Sequence, residues 1–240
     1  MFNEQIKSFI DNHGLGTFRP KAVLFDMDGV LYDSMPNHAI AWQKSMAQFG
    51  ISMTAEDAYA TEGARGIDTI RNFVKLQQHR DIDEREAQKM YDVKTDIFHS
   101  MPKAHIFDGV INLMQKIKDG GMAIGVVTGS GQRPLIARLV NDFGNFITAE
   151  RIVTAYDVTH GKPAPDPYLM GAAKAGVAPH ECIVVENAPL GIKAGVAAGC
   201  FTIAVNSGPL SDSILSDCGA HIVLPSIARL AEVWDETFFL

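Results

Sequence analysis

The stretch 25-FDMDGVLYDSMP-36 sets two carboxylates, Asp26 and Asp28, one residue apart, directly after the apolar run 21-KAVLF-25. Like charges that close at the tip of a buried strand cost stability unless something binds there. Three other stretches carry groups of a matching kind. The run 128-TGSGQ-132 offers the Thr128 hydroxyl in a small turn with Gly129 and Ser130. In 160-HGKPAPDPY-168, Lys162 stands between a glycine and a proline. The run 182-CIVVENAPL-190 carries Glu186 and Asn187, and Pro189 then opens a helix. Taken singly, each has an ordinary reading: a turn, a loop start, a solvated lysine, a helix cap. Taken together they are the parts of phosphoryl transfer. A hard cation such as Mg²⁺ takes a few protein oxygens and the phosphate oxygens of a substrate. One carboxylate can be the nucleophile and carry the phosphoryl group. A second acid can protonate the leaving oxygen and later deprotonate the attacking one. A lysine, a hydroxyl and backbone N–H groups stabilise the spread negative charge. An EF-hand is excluded, because the glycine comes too early and no terminal glutamate follows.

These groups can meet only if the fold brings four chain segments to one edge. Short, continuous, β-branched runs recur at 22–25, 122–127, 152–153, 182–185, 201–205 and 221–224. That pattern suits parallel strands buried on both faces. Helix-length segments such as 108-DGVINLMQKIKDG-120 and 188-APLGIKAGVAAG-199 lie between the later runs. The expected fold is therefore α/β, an open Rossmann-like parallel sheet with right-handed crossovers. In such sheets ligands sit beyond the carboxyl ends of the strands.

One segment breaks the alternation. Residues 36–105 hold no convincing strand and read as helices over 37–50, 54–63, 66–79 and 83–101. Asp83, with Glu86 three residues on, is expected to make a capping box. Asp166-Pro167 is expected to supply an N-cap and a first helical residue. The expected organisation is a catalytic core of 1–35 and 106–240, with a small all-helical cap domain of 36–105 inserted after the first strand. Such a cap could exclude water from the site. Residues 3–12 could make a short helix whose role is not readable.

Composition narrows the partners. The chain has 240 residues, 47% hydrophobic and 20% charged, which is ordinary globular composition. A net charge of −7 argues against nucleic acid, while a metal and a few local cations can still hold an anionic substrate. The three cysteines, Cys182, Cys200 and Cys218, form no CxxC pair, so neither a zinc site nor a disulfide framework is expected. No apolar run reaches membrane-spanning length and the N-terminus lacks signal-peptide architecture. The expectation is a cytoplasmic protein, monomeric or weakly oligomeric, that binds neither membrane nor nucleic acid.

The ordered set DMDGVLYDS, VVTGS, GKPAPDPY and VVENAPLGI resembles the haloacid dehalogenase superfamily. Within it the chain is similar to the β-phosphoglucomutase-like subgroup from Lys21 onward. The resemblance implies that Asp26 is the nucleophile and a Mg²⁺ ligand. Asp28 would be general acid and base, with its backbone carbonyl on the metal. Thr128 would hold phosphoryl oxygens, and Lys162 would balance the charges of nucleophile and phosphate. Glu186 and Asn187 would complete the metal site. Dehalogenases of the superfamily lack the second aspartate, so Asp28 points to phosphoryl chemistry. Many relatives carry aspartate at the position of Asn187, and the amide leaves the metal one anion short.

The cap should choose the substrate. His38 and Trp42 lie one helical turn apart and share a face. Mutase relatives have a histidine and a tryptophan at these spacings; the alternative is that both pack between cap and core. In 61-TEGARGID-68, Arg65 resembles an arginine that mutases place on a distal phosphate. Glu62 could supply the charge that Asn187 lacks, or be a surface acid at a helix end. If it met the metal, little room would remain for a hexose, and inorganic pyrophosphate would fit better. The expected function is a Mg²⁺-dependent phosphohydrolase acting through an aspartyl phosphate on a sugar phosphate or on pyrophosphate. The alternative is a β-phosphoglucomutase. A silent metabolite-binding protein ranks below both.

Overall fold

The computed structural model describes residues 2–130 and 133–238; Gly131 and Gln132, the end of the expected 128–132 turn, lie outside them. In chain order the first elements are α1 (Asn3–Asn12), β1 (Ala22–Phe25), α2 (Met35–Gln48), α3 (Ala55–Ala60), α4 (Gly66–Gln78) and α5 (Glu84–His99). Then come α6 (Val110–Asp119), β2 (Ala123–Val127), α7 (Arg133–Phe143), β3 (Ile152–Val153), α8 (Asp166–Ala175) and β4 (Cys182–Glu186). The chain closes with α9 (Pro189–Ala197), β5 (Phe201–Val205), α10 (Asp212–Asp217), β6 (Ile222–Leu224) and α11 (Ile227–Phe238).

The six strands form one sheet in the order β3-β2-β1-β4-β5-β6, and every pairing is parallel. Side chains alternate across it. Val23, Phe25, Ile183 and Val185 enter one apolar cluster with Leu113, Phe143 and Trp234. Leu24 and Val184 enter the other, with Tyr168 and Ala172 of α8. Burial on both faces is why these strands read as unbroken apolar runs rather than as alternating ones. Phe25 of β1 pairs with Val126 and with Val185, so the tips of β1, β2 and β4 end level.

Helices α2 to α5 all fall between β1 and β2 in sequence, and they have an apolar cluster of their own. It includes Trp42, Met46, Ile70, Val74 and Met90. The chain enters and leaves this helical block side by side. Asp33 N donates to His105 O at 3.0 Å, Phe107 N donates to Leu31 O at 3.1 Å, and Tyr32 bridges Ile106 antiparallel. No described helix is long and apolar enough to cross a membrane.

Two helix starts differ from expectation. The Asp83 side chain accepts from Glu86 N at 2.8 Å, but the Glu86 carboxylate turns to Arg80 at 2.7 Å, so only half of the capping box forms. The complete box lies at Thr54, where the Asp57 carboxylate accepts Thr54 N and Thr54 Oγ1 accepts Asp57 N. Asp166 is the first residue of α8 rather than its N-cap, which is Pro165; its carboxylate faces His160 Nδ1 at 3.0 Å. Two helices beyond residue 206, α10 and α11, were not among the expected elements. The signal for α11 was present, since Ile227, Leu230, Ala231 and Trp234 follow helical spacing and are buried.

The N-terminal helix has a definite task. Phe9 is fully buried and its ring lies 5.3 Å from Phe201, 5.1 Å from Phe18 and 5.2 Å from His221. Phe201 begins β5, so α1 closes the sheet at the end opposite the strand tips. Truncating a buried aromatic costs about 3–5 kcal/mol. Phe9→Ala is expected to lower unfolding stability by about that amount in urea. Turnover of the folded fraction should stay unchanged.

Candidate active site

The level strand tips converge on one buried cation. Lys162 Nζ lies 2.5 Å from Asp26 Oδ1, 2.7 Å from Glu186 Oε1 and 3.1 Å from Val127 O. All three charged side chains are almost wholly buried. The Tyr168 hydroxyl donates to Glu186 Oε1 at 2.7 Å, and Glu186 Oε2 accepts the backbone N–H of Asn187 at 3.0 Å and of Ala188 at 3.3 Å. Gly191, inside the first turns of α9, leaves the space this carboxylate fills: a Cβ there would lie 1.6 Å from Glu186 Oε1. Burial pushes the Lys162 ammonium down, but Asp26 and Glu186 outweigh it and hold the charge firmly. Asp26 is pushed up to about 8, chiefly by burial, with Glu186 and Asp28 adding to it and Lys162 only partly opposing.

Asp28 sits in a different field. Ser34 Oγ donates to its Oδ1 at 2.5 Å, and His38 Nε2 lies 3.2 Å from the same oxygen, an ion-pair distance without good hydrogen-bond geometry. Burial raises this carboxyl, but His38, Ser34 and Lys94 together bring it below the ordinary value. Lys94 Nζ meets His38 Nδ1 at 2.7 Å and stands 5.1 Å from the centroids of both Trp42 and Phe98. Burial lowers Lys94 to about 8 against the pull of Glu62 and Asp28. Two carboxylates one residue apart thus differ in proton affinity: without a cation Asp26 holds its proton more tightly than Asp28, and a cation on Asp26 would favour the ionised oxygen that a nucleophile needs.

The helical block closes over these groups. A Cβ on Gly129 would lie 2.8 Å from Gly63 O, and one on Gly63 would lie 2.9 Å from Lys162 Cδ. Gly63 also has φ +84°, a conformation that side chains disfavour. The cavity beneath is about 40 Å³ and is lined by Asp28, His38, Trp42, Glu62, Lys94 and Thr128, among others. Small-molecule clefts commonly run to roughly 300–1,000 Å³. Glu62 is raised well above the ordinary range by burial and by the nearby Asp28 and Asp26. Gly129 and Ser130 line the same cavity, and Ser130 N donates to Thr128 Oγ1 at 3.0 Å. Arg65 does not line it. Its guanidinium pairs with Asp68, Nε to Oδ2 at 2.7 Å and Nη2 to Oδ1 at 3.2 Å, and its stem packs on Gly161.

A hard cation fits the residues present. Asp26 Oδ2 and Asn187 Oδ1 are buried acceptors without a hydrogen-bond partner. Both are oxygens of the kind Mg²⁺ takes. Both Glu186 oxygens accept hydrogen bonds, Oε1 from Lys162 and Tyr168 and Oε2 from backbone N–H groups. Among the described residues no group of three or more His, Cys, Asp or Glu is poised around a metal. A site here would be a mixed one, of carboxylate, amide and backbone oxygens.

Sequence reasoning missed Lys94, Ser34 and Tyr168. Lys94 had a signal: Ala87, Met90 and Lys94 share the buried face of α5, and a lysine in an apolar stripe is unusual. Ser34 and Tyr168 had none beyond their place within the quoted motifs.

A family model described as haloacid dehalogenase-like hydrolase matches residues 23–205. Hexitol phosphatase A of Escherichia coli is 36% identical over 79% of this chain and 84% of its own. The β-phosphoglucomutase of Bacillus subtilis is 27% identical over 78% of this chain and 84% of its own. A solved structure of a candidate β-phosphoglucomutase from Bacteroides vulgatus is 45% identical, with a TM-score of 0.94 over 98% of this chain and 95% of that one.

The raised Asp26 carboxyl sets a pH test of the cation site. A carboxyl whose folded pKa, about 8, exceeds its ordinary 3.8 stabilises the metal-free fold fully at low pH. That contribution is lost as pH rises through the folded value. Mg²⁺ needs the ionised oxygen, so protons compete with it. At fixed Mg²⁺ the rise in Tm is expected to be larger at pH 8 than at pH 5.5. Equal rises in differential scanning fluorimetry would take Asp26 out of the ligand set.

Proposed function

The chain belongs to the haloacid dehalogenase-like hydrolase family and is an enzyme of its phosphatase- and phosphoglucomutase-like branch. On that premise we propose that it is a Mg²⁺-dependent phosphohydrolase acting through an aspartyl phosphate on a compact substrate, inorganic pyrophosphate ahead of sugar phosphates. The observation that carries the choice is Glu62. It shares the 40 Å³ cavity with Asp28, and burial, with the acids below adding to it, raises its pKa. A carboxylate aimed at a phosphate site repels the substrate unless a cation lies between them. Glu62 can supply the anion that Asn187 does not.

In this reading the metal would be held by the Asp26 carboxylate, the Asp28 backbone carbonyl and the Asn187 amide oxygen, with Glu62 joining from the helical block, which acts as a cap. When bound, the cation screens the charge between nucleophile and phosphate. Asp26 attacks phosphorus while Lys162 offsets the negative charge gathered there. With substrate bound, Asp28 would take up a proton against the field of His38, Ser34 and Lys94, which favours its charged form, and give it to the leaving oxygen. It then takes a proton from water as the water oxygen bonds to phosphorus and the bond to Asp26 breaks. Thr128 and the backbone N–H groups of its turn hold the phosphoryl oxygens.

A second reading, β-phosphoglucomutase, is favoured by the His38–Lys94 pair beside Asp28 and by the likeness to the candidate mutase from Bacteroides vulgatus. One assay separates the two. With Mg²⁺ the chain is given pyrophosphate, hexose phosphates and β-glucose 1-phosphate side by side. Fast phosphate release from pyrophosphate, lost in Asp26→Asn, is the expected result. Glucose 6-phosphate formed without phosphate release would establish the mutase instead. Asp28→Asn should slow turnover about 10²–10⁴-fold. Glu62→Gln should weaken Mg²⁺ activation of pyrophosphate cleavage, and unchanged activation would remove Glu62 from the site.

A further inference from the structure

A second and larger cavity, of about 180 Å³, lies where the two connections between helical block and core run together. Tyr32, Phe98, Met101 and Ala104 give it an apolar lining, and Pro102 and Lys103 stand at an exposed rim. Arg138 forms part of the wall. Its guanidinium stacks 4.1 Å over the Tyr32 ring and donates to Ala104 O and to Asp142. Of all the residues lining this hinge cavity and the small cavity under the block, only Asp28 belongs to both.

Asp28 is therefore the partition between the small cavity under the helical block and a wider space that opens near the surface. Its Oδ1 is held by Ser34, with His38 beside it. On the opposite side, Gly63 brings the helical block into close contact with Gly129 and Lys162. We infer that the hinge cavity is the route by which water reaches the phosphorylated Asp26 while the helical block stays shut. This rests on the aspartyl-phosphate reading above. It also gives that reading a way to hydrolyse without opening the chamber to bulk solvent. The step is balanced. Water entering past Asp28 forms the new oxygen–phosphorus bond, the bond from Asp26 to phosphorus breaks, and the proton goes to Asp28. The products are inorganic phosphate and the Asp26 carboxylate.

Formation of the phosphoenzyme consumes no water, whereas its decay does, so filling the hinge cavity should separate the two. Ala104→Leu and Met101→Phe fill it from different walls, and neither residue touches the reacting groups. If one fails to fold by thermal melting, the other carries the test. Rapid quench with ³²P-labelled pyrophosphate reads both steps. The expected result is phosphoenzyme formation within about twofold of the parent chain and decay slowed about tenfold or more, so that label accumulates on the protein. Decay at the parent rate in a folded variant would overturn the route. Formation and decay slowed together would also overturn it, because that pattern reports a stiffened hinge. If the parent chain takes no label, pyrophosphate is not its substrate and the reading on which this route rests falls.

Discussion

The Lys162 ammonium, clamped between Asp26 and Glu186, is the constraint on which the catalytic edge depends. Taking three charges out of water is expensive, and only close contacts with filled hydrogen-bonding capacity repay it. The surrounding structure supplies those conditions. The level tips of β1, β2 and β4 deliver Asp26, Val127 O and Glu186 to one point. Helix α8 brings the Tyr168 hydroxyl onto Glu186, and the missing side chain at Gly191 lets α9 start close above it. Removing any one charge would strand the others, at a cost of about 3–5 kcal/mol for a buried pair. The lysine therefore ties the loop before α8 to two strands at once.

Against that fixed clamp the rest of the site can differ from relative to relative. Asp26 and Asp28 share a turn, yet one is raised by burial among acids and the other lowered by His38, Ser34 and Lys94. The lowering groups lie in the helical block or in the connection leading to it, so Asp28 is tuned by whatever the block presents. Glu62 belongs to the same group of residues and meets the core through backbone contacts at Gly63 and Gly129. The core thus brings Asp26 and its counter-ion Lys162, while the block sets the surroundings of Asp28 and the cavity above it.

Much of this was legible in the sequence because it rests on strong local signals. Continuous β-branched runs gave all six strands, and the polar residues after them gave Asp26, Asp28, Thr128, Lys162, Glu186 and Asn187. What was not legible depends on pairing across the fold. Whether Arg65 meets a substrate or Asp68 is decided by the first turn of α4, where Asp68 sits one helical turn away. Glu186 looked like a metal ligand because it ends a strand beside Asn187. Its Oε1 accepts from a lysine and a tyrosine that lie 24 and 18 residues away in sequence, partners that no local signal announced. Lys94 was hidden because an isolated lysine on a helix is usually solvated, and only the apolar stripe around it argued otherwise. The missing half of the capping box at Asp83 and the one-residue shift at Asp166 have one cause: the Glu86 carboxylate has a better partner in Arg80, and the Asp166 carboxylate in His160.

The short antiparallel ribbon of residues 31–33 against 105–107 has a consequence for how such a molecule can change over time. Because the inserted helices leave the core and return to it at neighbouring points, exchanging them for another segment of different length demands little extra loop closure. The block also has its own apolar interior, separate from the two faces of the sheet. Such an insertion is interchangeable in the way that an exposed loop tip tolerates a guest domain. New selectivity can be grafted onto an old chemistry while the sheet keeps its register.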